Sequence, residues 1–89
     1  MKLLILYRPD SEHARAVETF MHDFKNRNPD AKVELLNVDS REGIAIASLY
    51  DIMHHPAILA MTGEGSLVKE WQGEQLPLID EVASYAYAT

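Results

Sequence analysis

Between Lys2 and Arg8 every side chain is apolar: Leu3-Leu4-Ile5-Leu6-Tyr7, closed by Arg8-Pro9-Asp10. A half-exposed strand alternates apolar and polar positions, and this run has no polar face to offer water. It therefore reads as a strand buried on both sides, which requires a covering layer above and below its sheet. The same run is too short for the core of a secretion signal and far short of the roughly 18 apolar residues of a membrane span.

The covering layers are legible downstream. Asp10 and Ser11 are candidate N-caps, and Ala14, Val17, Phe20, Met21 and Phe24 form one stripe at helical spacing, predicting a helix of about four turns. Asn28-Pro29-Asp30 ends it, because the residue before a proline is pushed out of the helical region. Lys32 to Asp39 reads as a second strand. Asp39 or Ser40 caps a second helix running through Ile52, with Ile46, Leu49 and Tyr50 inward and Gly43 weakening its first turns. Ala57 to Met61 and Leu67 to Gln72 flank Gly63-Glu64-Gly65-Ser66 as a hairpin, and Gly73 breaks the second strand. Pro77 suits the first turn of a last helix whose stripe is Ile79, Val82, Ala83 and Ala86. The order βαβαββα predicts a mixed four-stranded sheet flanked by three helices, an α/β fold. At 89 residues the chain has length for one core, so residues 1–89 are expected to form a single domain.

Composition removes several functions. The chain has no cysteine, so disulfides, thiolate nucleophiles and thiolate metal ligands are all excluded. Residues 1–41 balance seven acidic against seven basic side chains, whereas residues 42–89 set seven acidic against Lys69 alone. Phosphate backbones are repelled by such a second half, so no nucleic-acid partner is expected. Glu64, Glu70, Glu74, Asp80 and Glu81 read as a solvated face, or as a contact for a basic protein. No membrane association and a cytoplasmic location are expected.

From Val38-Asp39 through Ala47-Ser48-Leu49-Tyr50-Asp51-Ile52 to His55-Pro56-Ala57-Ile58-Leu59, and on to Gly65 and Trp71-Gln72-Gly73, the sequence resembles the thioredoxin and glutaredoxin superfamily. The resemblance spans essentially the whole chain and favours the glutaredoxin-like branch. It implies the thioredoxin-like fold, with Pro56 as the family's cis-proline before the third strand. In that branch a Tyr-x-x-Pro-Gly-Cys-x-x-Cys loop opens the first helix, and the matching stretch here is Tyr7-Arg8-Pro9-Asp10-Ser11-Glu12-His13-Ala14, one residue shorter between tyrosine and proline. Ser11 then stands at the attacking cysteine and Ala14 at the resolving one. A serine hydroxyl at a helix N-terminus stays protonated, so the fold is implied without its disulfide chemistry.

The resemblance also places Arg8, Ser11, His13 and Ala14 beside His55 and Pro56, and these six are the candidate binding residues. A redox-inactive binding or protein-interaction module is the leading expectation. Its partner is expected to be a protein or peptide pairing with the backbone edge at His55, or a small anion such as glutathione held at the helix N-terminus near Arg8. No cofactor is expected. The alternative from the enzyme class uses Ser11 with His13, His54 and His55, either as a Ser-His pair or as a metal site completed by Asp10 or Glu12. His13, His54 and His55 lack a firm ligand spacing, and each also reads as an ordinary loop or first-turn residue. A structural subunit dimerising through the edge strand that carries Trp71 is the third expectation, with Trp71 favoured as packing under the last helix.

Overall fold

The computed structural model describes residues 2–73 and 76–86. Its elements follow the predicted order: β1 (Lys2–Tyr7), α1 (Ala14–Arg27), β2 (Lys32–Asn37), α2 (Arg41–Leu49), β3 (Ala57–Met61), β4 (Leu67–Gln72) and α3 (Ile79–Ala86). The strands form one sheet in the order β2-β1-β3-β4. β1 and β2 run parallel, joined by α1 as the crossover that a parallel pair requires. β3 is antiparallel to both β1 and β4.

β1 is central and Leu3 to Tyr7 are all buried, as an apolar run without alternation requires. Leu3, Ile5 and Tyr7 point into a layer made by α1 and α3, where they meet Val17, Phe20, Phe24, Ile58 and Val82. Phe20 and Phe24 stack with ring centroids 6.1 Å apart. Leu4 and Leu6 point the other way, joining Leu36, Ala57, Leu59 and Met61 under Ile46, Ala47 and Tyr50 of the α2 region. Burying each large side chain of this set contributes roughly 1.5–3 kcal/mol, which is what holds two helical layers onto one sheet.

Several boundaries differ from the sequence expectation, each for a local reason. α1 begins at Ala14; its N-cap is His13, in the helical region with no side-chain capping bond. Ser11 does not cap, because the N-cap position falls two residues later; it sits in the preceding turn, where its hydroxyl donates to the Arg8 carbonyl at 2.6 Å and its N–H donates to the same oxygen at 3.1 Å. β2 stops at Asn37, where the Asn37 side chain accepts from the Asp39 N–H at 2.8 Å and turns the chain. Ser40, rather than Asp39, caps α2, accepting from Gly43 N–H at 3.0 Å. α2 ends at Leu49 instead of reaching Ile52, and Leu49 is 68% exposed rather than inward. Asp51 follows with φ of 55°, a conformation that closes the helix.

Gly43, expected to weaken α2, is instead needed there. A Cβ at this position would run into the Asn37 backbone carbonyl oxygen and lie 2.9 Å from its carbon. Trp71 packs against the α1/α3 layer, edge-to-face with Tyr85 at 5.5 Å. Pro77 precedes α3 rather than lying in its first turn. Glu74 and the Ala86 side chain fall outside the described residues. Among the described residues, no helix is long and apolar enough to cross a membrane.

Candidate functional site

The C-terminal ends of the two parallel strands, β1 and β2, release their loops on the same edge of the sheet, and β3 starts there too. The Tyr7 carbonyl still accepts from Val38 N–H at 2.9 Å, so the two loops leave side by side. Arg8 then reaches across to Asp39, its Nε donating to Oδ2 at 3.1 Å and its Nη2 to Oδ1 at 3.4 Å. This exposed pair contributes at most about 1 kcal/mol, but it fixes where the guanidinium points and offsets its charge.

Residues 8–13 fold into a compact turn closed from within. Besides the Ser11 bonds to the Arg8 carbonyl, the Arg8 N–H donates to His13 Nε2 at 3.3 Å. That bond requires Nε2 to carry a lone pair, and it turns the His13 ring back over the turn. Ala14, at the first residue of α1, is 7% exposed and belongs to the core.

The facing loop is His54-His55-Pro56. The His55–Pro56 peptide bond is cis, Pro56 is fully buried, and the Pro56 carbonyl accepts from Gly73 N–H at 3.2 Å. Gln72 on β4 organises the preceding residues: its Oε1 accepts from the N–H groups of Met53 and His54, at 3.0 and 3.2 Å. Its Nε2 donates to Glu70 at 2.8 Å, which sets the amide's orientation. With the loop so held, the half-buried His55 ring meets His13 edge-to-face, with centroids 5.6 Å apart.

The candidate residues are thus partly assembled. Arg8, Ser11, His13 and Ala14 lie on one loop and helix start, and His55 and Pro56 lie on the other, joined through the His13–His55 contact. His54 is exposed and serves the site through its backbone. Ser11 is not arranged as a nucleophile, since its hydroxyl donates to a carbonyl and His13 Nε2 is occupied by the Arg8 amide. Among the described residues there is no group of three or more histidine, aspartate and glutamate side chains placed to hold a metal ion, with or without Asp10 and Glu12. Tyr7, buried beneath the turn, has its phenol pushed above the ordinary value by burial and then by the Glu18 carboxylate.

Sequence reading passed over Gln72 as a site residue. The available signal was a polar side chain on a strand next to the breaking glycine; its place opposite Ala57 is set by the sheet register. The larger surface hollows lie elsewhere: one of about 540 Å³ between α1 and the segment before α3, and one of about 410 Å³ at the opposite end of the sheet.

No protein-family model matches the sequence, and no curated protein matches it either. Solved structures do. Thioredoxin O2 from Arabidopsis thaliana superposes with a TM-score of 0.71 at 13% identity, over 93% of this chain and 69% of that one. Thioredoxin 1 from Thermosipho africanus gives 0.70 at 16% identity, over 96% and 89% of the two chains. Mitochondrial thioredoxin 3 from Saccharomyces cerevisiae gives 0.72 at 14% identity, over 98% and 76%. At such identities the likeness is one of architecture, and with no cysteine in the chain thiol–disulfide exchange is impossible. The protein has a thioredoxin-like fold and carries no cysteine.

Proposed function

We propose that the protein is a redox-inactive binding module that engages a protein or peptide at the end of the sheet where the 8–13 turn meets the His55–Pro56 loop. The observation that carries this reading is the His13–His55 contact, made by two loops that are each fixed by their own hydrogen bonds. The surface is therefore organised without any sulfur. A preorganised surface lowers the entropic cost of binding, which is how such a patch favours a partner. The Arg8–Asp39 pair favours a peptide over a small anion such as glutathione, because the guanidinium nearest the helix start already faces a carboxylate. A cytoplasmic location is part of the same proposal.

Titration of the isotope-labelled protein with a panel of extended hexapeptides, and separately with glutathione, tests it by amide and imidazole NMR shifts. Peptides are expected to move His13 and His55 together with Met53 and Gly73. Shifts confined to other surfaces, or none at millimolar peptide, refute the reading, and a glutathione response alone replaces the peptide by the anion.

A further inference from the structure

The sheet has two edges, and they differ. β4 pairs with β3 through a register shift at Ala60/Met61, and an irregular edge resists further pairing. β2 pairs with β1 in unbroken register from Lys32 to Asn37, and among the described residues no strand lies on its other side. The Val38 N–H donates to the Tyr7 carbonyl, which fixes the peptide groups of β2 that face β1. Peptide groups alternate along a strand, so Lys32, Glu34 and Leu36 turn theirs toward β1, whereas Val33 and Leu35 turn N–H and C=O outward. Asn37 closes that open edge, since its carbonyl already accepts from the Ser40 N–H and hydroxyl.

An open edge accepts another strand, and its side chains select which one. An antiparallel copy of β2, related by a two-fold axis normal to the sheet, keeps each face on its own side. A residue then stands opposite itself or opposite one an even number of positions away. Centred on Val33, this register sets Lys32 against Glu34 of the copy and Glu34 against its Lys32, while Val33 exchanges both backbone bonds with its counterpart. Lys32 and Glu34 then occupy non-hydrogen-bonded positions, where facing side chains are closest. Centring on Lys32 or on Glu34 sets like charges against each other, and centring on Leu35 leaves both charges opposite apolar residues. Glu34 is within reach of such a partner: its Oε2 meets Lys2 at 2.9 Å, yet the side chain is still 43% exposed. On the other face of the strand, Val33 and Leu35 are only partly buried.

We propose that the protein associates with a second copy of itself through β2, the two sheets joining antiparallel about Val33 with reciprocal Lys32–Glu34 pairs. The surface is separate from the His13–His55 contact and does not depend on what binds there. Stable interfaces bury roughly 1,200–2,000 Å², and a single strand seam is smaller, so the dimer is weak and exchanges with monomer. Its charged pairs face water, so added salt loosens it.

Sedimentation equilibrium and amide NMR of the full chain, at concentrations up to about 1 mM, test this. A reversible monomer–dimer equilibrium is expected, with concentration-dependent shifts centred on Val33 and Leu35. Lys32→Glu and Glu34→Lys each set like charges across the seam and are expected to weaken association at least about fivefold. Mixed in equal amounts, the two variants regain opposite charges at both positions and are expected to associate as the parent does. Val33→Pro is expected to abolish the dimer with an unchanged circular dichroism spectrum, because the N–H it removes faces out of the sheet. That variant and Lys32→Glu decide the matter even where Glu34→Lys, deprived of its Lys2 bond, fails to fold. A monomer throughout, shifts centred on another surface, undiminished association of Lys32→Glu or Val33→Pro, or folded charge variants that stay apart when mixed each overturn the proposal.

Discussion

Replacing Gly43 by alanine reverses the usual expectation for a glycine inside a helix. On propensity alone the change stabilises a helix by about 1 kcal/mol, because alanine loses less backbone freedom on folding. At this position the new methyl runs into the Asn37 carbonyl oxygen and lies 2.9 Å from Asn37 C and 3.1 Å from Ser40 Oγ. Two of those atoms are backbone, at the end of β2, and cannot rotate away. Relief comes only by lifting the first turn of α2 off the sheet, which costs about 1–3 kcal/mol as overpacking. The same shift pulls Gly43 N–H from the Ser40 cap, worth about 1 kcal/mol. Subtracting the propensity gain leaves a net loss of about 1–3 kcal/mol. For a chain of this size each kcal/mol moves the thermal midpoint by about 4–8 °C, so a fall of roughly 5–20 °C is expected. Circular dichroism melts and urea titrations measure it, with the exposed Ala45→Gly as a control that loses about 1 kcal/mol for propensity alone. A Gly43→Ala protein at least as stable as the parent refutes the close approach of α2 to Asn37.

Phe24 is fully buried in the α1/α3 layer, so Phe24→Ala is expected to cost about 3–5 kcal/mol, a large share of a small domain's roughly 5–15 kcal/mol, read by urea unfolding. Gln72→Ala removes the acceptor for Met53 and His54, so those two amides should exchange with solvent faster at a global cost of only about 1 kcal/mol, and unchanged exchange refutes the clamp. The Tyr7 phenol is raised by burial and by Glu18, so the folded chain keeps a proton that the unfolded chain gives up above about pH 10. Stability contributed by that proton is present below pH 10 and lost as pH rises through the folded value, and alkaline unfolding of Tyr7→Phe is expected to lack this component of the slope.

The elements that sequence made legible are those with one dominant pattern. Leu3 to Tyr7 has no polar face, and the Val17, Phe20, Phe24 stripe has one, so a two-layered sheet followed from them. Single local signals misled where a competing contact was available. Ser11 has the chemistry of a cap, but a turn intervenes and the N-cap position falls two residues later, on His13. Leu49 sits at helical spacing from Ile46, yet α2 ends there and leaves it in water. Gly43 carried no sign of its use, since the Asn37 carbonyl that requires it belongs to another element. Within the site, the family layout foretold that His13 and His55 are neighbours. The Arg8–Asp39 pair spans 31 residues and the Gln72 clamp joins β4 to a loop, so both depend on register that no local pattern encodes.

The position of β1 between β2 and β3 also divides the molecule along its length. Residues 2–37 form a complete βαβ unit, and β3 and β4 form a hairpin that has its own helix, α3. Among the described residues the two are stitched by a single strand seam, β1 against β3, and by α1 and α3 sharing one layer. Neither half threads through the other. A chain severed in the connection between α2 and β3 would leave two supersecondary pieces whose reunion must rebuild that seam and the packing on either side of it, so the sheet that looks continuous is, in assembly terms, a joint.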